Sequence, residues 1–201
     1  MSAGELPFGA YHRASSVGEG TYGSVVVVYN DDGEEFALKL FTQDNDENEE
    51  EPQHQKPLNL GAMREISILR LLRGTAKHFQ CINLHDISPE WTDEDDDDGG
   101  GAGTSGTLGM AMPLFSRGSL GSALEGDVAG AATTKSMSKA AKAQVTHDIL
   151  TAVGFLHAHG IVHRDIKSDN ILLQYDENSQ SSCGWRAVLI DMSLAKPVDE
   201  T

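Results

Sequence analysis

Four things are scarce in this 201-residue chain, and each scarcity narrows what it can be. Its two cysteines, Cys81 and Cys183, stand at no metal-like spacing. That argues against a disulfide scaffold or zinc site and for a reducing, intracellular compartment, cytoplasmic or nuclear. No apolar run approaches the ~20 residues that span a bilayer, and the opening MSAGELPFGAYHR lacks the apolar core of a secretory signal. No membrane partner is expected. Basic residues form no cluster, so nothing points to nucleic acid. No segment repeats.

Acid is plentiful but unevenly placed. The formal charge is −16, yet QDNDENEEE (43–51) and DEDDDD (93–98) each hold six of the 31 acidic residues. The other 19 nearly balance 15 basic ones, so the body of the chain is ordinary in charge. The two acidic stretches lie in insertions at 43–57 and 92–106, which hold too little apolar area to fold and read as solvated spacers.

The remainder is long enough to bury a core in one domain or two small lobes. SVVVVYN, DDG and EEFALKLF spell strand, hairpin turn, strand. LGAMREISILRLLRG predicts a helix closed by Gly74. CINLHDIS and TLGMAMPLF read as strands, and RGSLGSAL as a short helix. From Ser138, a natural N-cap, a helix runs to about Gly160 on a stripe of Val145, Ile149, Val153 and Leu156. NILLQY and AVLID are short strands around a polar insertion. The expected class is α+β: a mainly β lobe with one helix, then a helical lobe carrying a β-hairpin.

Several stretches carry chemistry. VGEGTYGSV sets Gly18, Gly20 and Gly23 between two strands, where bare backbone can approach phosphate oxygens. By itself this is a tight hairpin, and it is neither a Rossmann fingerprint nor a Walker loop. Lys39 shares a strand face with Ala37 and Phe41, while Phe36, Leu38 and Leu40 take the other. A strand apolar on both faces is buried, so its lysine needs a partner unless it snorkels to solvent. Glu65 is the candidate, because Ala62, Glu65, Leu69 and Leu72 fall on one helical stripe and a core-facing carboxylate is costly unless paired. HRDIKSDN packs five ionisable side chains and an asparagine between apolar GIV and ILL. Taken singly, His163 is a core histidine, Asp165 a loop cap and Asp191 a turn former.

Taken together, the motifs resemble a eukaryotic protein kinase from about Tyr11 to Lys196. GEGTYGSV is similar to the glycine-rich loop, FALK to the lysine strand, REISILR to helix C and HRDIKSDN to the catalytic loop. The resemblance implies a bilobal fold: a tail at 1–10, an N-lobe at 11–109, and a hinge with part of the C-lobe at 110–201. ATP would lie between the lobes, under Val25 and Ala37 and over Leu172. Met110 would stand in the gatekeeper place, with backbone groups of Ala111 and Met112 bonding the adenine edge. Lys39, held by Glu65, would grip the α and β phosphates. Asn170 and Asp191 would hold Mg²⁺. Asp165 would orient and accept the substrate hydroxyl proton, and Lys167 favours a protein substrate with a Ser or Thr acceptor. No motif names an activator or regulatory partner.

Two departures matter. The family's Asp-Phe-Gly reads Asp191-Met192-Ser193. The metal ligand is kept, Met192 can pack as Phe does, and Ser193 is expected to alter switching, at ~1 kcal/mol if its φ must be positive. After LAKPVDET the family continues into an activation segment and large helices, so the chain is expected to be the first portion of a longer catalytic domain. A pseudokinase-like binding module without phosphotransfer is the alternative.

Overall fold

β-Branched and aromatic residues build the first of two compact units, Met1–Met63 with Leu84–Leu114; the second is Arg64–Asn83 with Phe115–Thr201. The computed structural model describes residues 11–20, 23–41, 60–75, 81–82, 84–91, 107–115, 117–125, 137–176 and 183–198. The N-terminal tail and both acidic insertions lie outside the described residues.

The first unit is an antiparallel sheet of β1 (His12–Gly20), β2 (Gly23–Tyr29), β3 (Glu35–Phe41), β4 (Asp86–Trp91) and β5 (Thr107–Pro113), in the order β1-β2-β3-β5-β4. The DDG turn forms as expected. Gly33 takes a φ of +78°, which favours glycine, and the Asn30 side chain accepts from Glu34 N–H at 2.8 Å. One face of the sheet buries Val26, Val28, Phe36, Leu38, Leu40 and Ala111. Each such apolar side chain larger than alanine contributes about 1.5–3 kcal/mol on burial, so this face sets the register. Pro89 has no N–H to give a ladder. It sits on edge strand β4, where the register shifts between Ser88 and Trp91.

Helix α1 (Leu60–Leu72) begins in the first unit and lies mostly in the second. Its Ala62, Glu65, Leu69 and Leu72 are all buried, as their spacing predicts. Gly74, at φ +86°, follows its end. The run CINLHDIS divides between the units rather than forming one strand. Cys81 makes an isolated bridge to Leu189, and β4 begins only at Asp86.

The second unit continues with α2 (Leu120–Glu125), α3 (Lys139–Ala158), β6 (Ile161–Val162), a 3₁₀ turn at Ser168–Asn170, β7 (Ile171–Tyr175), β8 (Trp185–Leu189) and β9 (Lys196–Pro197). Ser138 caps α3 by accepting from Ala141 N–H at 3.1 Å. The buried stripe of α3 is rotated from the expected one. It runs through Ala141, Val145, Asp148, Ala152, Phe155 and Leu156, leaving Ile149 and Val153 half-buried. The reason is Asp148. Only 1% exposed, it accepts from Ala187 N–H in β8 at 2.9 Å and from Gln144 at 2.8 Å. A buried carboxylate is tolerable when so bonded, and here it ties α3 to the β7–β8 hairpin. No helix among the described residues is long and apolar enough to cross a membrane.

Candidate active site

In the first unit the strands carry six of the singled-out side chains. Across the sheet, Val25 pairs with Lys39 and Lys39 with Met110; two residues along, Val27 pairs with Ala37 and Ala37 with Met112. Because strand faces alternate, Val25, Ala37, Lys39, Met110 and Met112 share one face. Ala111 falls on the other, in the apolar core. Its carbonyl is taken inside the sheet by His85 N–H at 3.0 Å. The Lys39 ammonium lies 5.4 Å from the centre of the Phe41 ring, a cation–π contact on that face. Gly18 pairs with Val25 and Gly20 with Gly23, so the glycines flank the β1–β2 hairpin turn, whose residues 21 and 22 are outside the described ones.

In the second unit the polar cluster of HRDIKSDN closes on itself. Asp165 Oδ2 accepts from Lys167 Nζ at 2.8 Å and from Asn170 Nδ2 at 2.9 Å. Among the described residues no donor is directed at Asp165 Oδ1, and the side chain is 26% exposed. The hydrogen bond from Lys167, with Asn170 adding to it, holds the Asp165 carboxyl below the usual aspartate range. The same bond raises Lys167. Both groups are therefore charged near neutral pH.

His163 is buried and bonded at both ring nitrogens. Nδ1 accepts from Asp165 N–H at 3.2 Å, which leaves the proton on Nε2 to donate to the Ile190 carbonyl at 2.9 Å. It is a structural histidine that joins the HRDIKSDN loop to the residue before Asp191. Asn170 adds a second tie, since its carbonyl accepts from Ile190 N–H at 3.0 Å. Asp191 itself adopts φ +64°, a left-handed conformation costing a non-glycine residue about 1–2 kcal/mol. Among the described residues only Arg164 shares this feature without being glycine. The strained position is thus Asp191 and not Ser193. Strain of this kind persists where surrounding bonds impose it. Here Ser193 N–H donates to Asp191 Oδ1 at 3.1 Å, closing a local turn.

The donor set can be tested against a bound cation. Asn170 is only 6% exposed, both recorded side-chain bonds use its Nδ2, and among the described residues no donor reaches its Oδ1. A buried amide oxygen without a donor fits a hard cation. Among the described residues no group of three or more His, Cys, Asp or Glu forms a cage. Asn170 and Asp191 therefore fit magnesium that takes its remaining ligands from phosphate and water, as that ion commonly does.

Glu65 is 1% exposed on α1, and Leu172 is half-buried on β7 opposite Val188. Met192 is fully buried. Two residues escaped sequence reasoning. Arg64 Nη1 donates to the Ser193 carbonyl and Arg164 Nε to the Leu194 carbonyl, each at 2.6 Å. Arginine in a polar loop or on a half-exposed helix gives no signal for a backbone partner this far away in sequence.

The family model described as protein kinase domain matches residues 11–201. The chain belongs to the protein kinase domain family. This kinase domain is 29% identical over 164 residues to human cyclin-dependent kinase-like 2, covering 81% of the chain and 27% of that protein. A probable serine/threonine-protein kinase of Dictyostelium discoideum is 29% identical over 187 residues, covering 92% of the chain and 24% of that protein. A serine/threonine-protein kinase-like protein of Arabidopsis thaliana is 50% identical over 52 residues, covering 26% of the chain and 13% of that protein. The kinase domain thus spans about a quarter or less of the length of these relatives. The α+β reading of the sequence holds, with an antiparallel sheet in the first unit and helices with a hairpin in the second.

Proposed function

We propose that this chain is the ATP-binding and phosphoryl-transfer part of a serine/threonine protein kinase, moving the ATP γ-phosphate to a protein hydroxyl. The observation that supports this best is the Asp165 carboxylate, with one oxygen held by Lys167 and Asn170 and the other met by no donor among the described residues. That second oxygen accepts the substrate hydroxyl and aims it. A carboxyl held below its usual range is a weak base, so Asp165 orients first and takes the proton late. Such an order suits a loose transition state that asks mainly for position and charge.

Lys39 grips the α and β phosphates, and the glycines of the β1–β2 hairpin admit backbone N–H groups to the phosphate oxygens. Val25 and Ala37 cover the adenine, Met110 stands behind it, and the Ala111–Met112 backbone meets its edge. The Ala111 carbonyl is already engaged with His85, so Met112 carries more of that contact. Lys167 beside Asp165 favours Ser or Thr as acceptor. When bound, magnesium supplies positive charge against the phosphate oxygens, with Asn170 Oδ1 and Asp191 holding it.

A second reading, a nucleotide- or protein-binding module without transfer, draws on the buried Ser193 where the family has glycine. Incorporation of γ-³²P from ATP into a generic basic protein discriminates the two. Transfer that Asp165→Ala abolishes supports the kinase; no transfer from the parent supports the module.

A further inference from the structure

Asp191 is braced from both sides, and the bracing on its C-terminal side comes from far away in sequence. Upstream, Ile190 is held through its carbonyl by His163 and through its N–H by Asn170. Downstream, Met192 to Ala195 forms a turn closed by Ala195 N–H on the Met192 carbonyl at 3.1 Å. Two arginines occupy successive carbonyls of that turn, Arg64 on Ser193 and Arg164 on Leu194. The Arg64 bond reaches the residue whose own N–H holds the Asp191 carboxylate. A peptide fixed at its carbonyl has a fixed plane, and the neighbouring Ser193 N–H inherits restricted torsion. Asp191, at φ +64°, has reason to relax if that restriction is removed.

We propose that Arg64 is a positioning residue for Asp191: by clamping the Ser193 carbonyl it keeps the Asp191 carboxylate in its cation-binding orientation. This rests on the kinase reading, in which Asp191 is a magnesium ligand. The bond is charge-assisted and half-buried, which makes it stronger than a neutral one. It also links α1 to the Asp191 turn within the same unit. A shift of α1 along or about its axis would therefore be felt at the carboxylate through two hydrogen bonds, without any change in the carboxylate's own neighbours.

The test uses the purified chain, manganese as the probe ion and a non-hydrolysable imido analogue of ATP. Manganese affinity is read by electron paramagnetic resonance, and amide hydrogen exchange at Ser193 is read without metal. Arg64→Met keeps an unbranched apolar stem and removes every donor; Arg64→Lys returns one donor group. The expected result is a roughly tenfold loss of manganese affinity in Arg64→Met, the scale of one charge-assisted bond. Exchange at Ser193 should rise by a similar factor, and Arg64→Lys should recover part of both. Unchanged affinity and exchange in Arg64→Met, with Asp191→Asn losing manganese, would overturn the proposal and leave the kinase reading standing. Undiminished manganese affinity in Asp191→Asn would remove the ligand role itself, and the proposal with it. Should Arg64→Met fold poorly, Arg64→Lys decides alone, because a parent-like affinity together with faster Ser193 exchange contradicts the coupling.

Discussion

The β3 strand and the HRDIKSDN loop place functional side chains by different means. In β3, register does the placing: Lys39 faces as it does because Leu38 and Leu40 must face the core. In the loop, no such alternation exists. Asp165 is set by Lys167, Asn170 and His163, and Asp191 by Ser193 with Arg64 bound to the next carbonyl. A register is spread over many apolar contacts and tolerates change on its outer face. A bonded loop concentrates its geometry in a few polar groups, each of which matters singly.

That contrast can be broken from the sheet side first. Leu38 is fully buried, and Leu38→Ala is expected to lose about 2–5 kcal/mol. Lys39→Arg, one residue along on the other face, keeps the positive charge and should cost clearly less than Leu38→Ala while abolishing transfer. Urea unfolding of each in a Trp185→Phe background, with Trp91 as the reporter on the first unit, separates the two. Equal destabilisation by both would mean that the register does not rest on the Leu38 face.

On the bonded side, Asp148 gives the next largest effect. Asp148→Ala leaves the Ala187 N–H buried without its acceptor and should cost about 1–3 kcal/mol. Asp148→Asn keeps one acceptor and should cost less. With Trp91→Phe, the Trp185 fluorescence on β8 reports the melt.

Gly184→Ala should cost about 2 kcal/mol, because φ is +68° and a Cβ there would lie 2.7 Å from the Tyr175 ring and 2.9 Å from the Asp176 carbonyl. A melt unchanged from the parent would show that the β7–β8 connection relaxes freely.

These cases show what could be read in advance. The α1 stripe, the Gly33 turn, the Ser138 cap and the face shared by Ala37 and Lys39 were legible because each is local or periodic. The polar cluster of HRDIKSDN was legible as a cluster, and the kinase motifs gave it an order. Asp148 was not, because an apolar-stripe argument skips a charged residue whose partner, the Ala187 N–H, lies on a strand 39 residues away. Arg64 and Arg164 were not, because a backbone carbonyl leaves no mark in a sequence. Nor was the positive φ of Asp191, which attention to Ser193 would have placed two residues too late.

The smallest expected effect is on pH. The Asp165 carboxyl is lowered from 3.8, so its contribution is present above that value and fades as pH falls through the folded-state pKa. Lys167 is raised from 10.5, so its contribution is present below that value and fades as pH rises through its folded-state pKa. The pair should therefore act across the whole range between, weakly because it meets solvent and salt. Lys167→Met should flatten both limbs of the stability profile slightly and leave the middle parallel to the parent. A change confined to pH 6–8 would point to a different group.

The most direct measurement compares magnesium–ATP affinity and γ-phosphate transfer in the same preparations of the parent chain and Asp165→Ala. Equal affinity with transfer reduced by about 10²–10⁴-fold is predicted, since Asp165 is assigned to the acceptor hydroxyl and not to nucleotide binding. Equal transfer in both, or ATP binding by a parent that transfers nothing, would contradict the assignment.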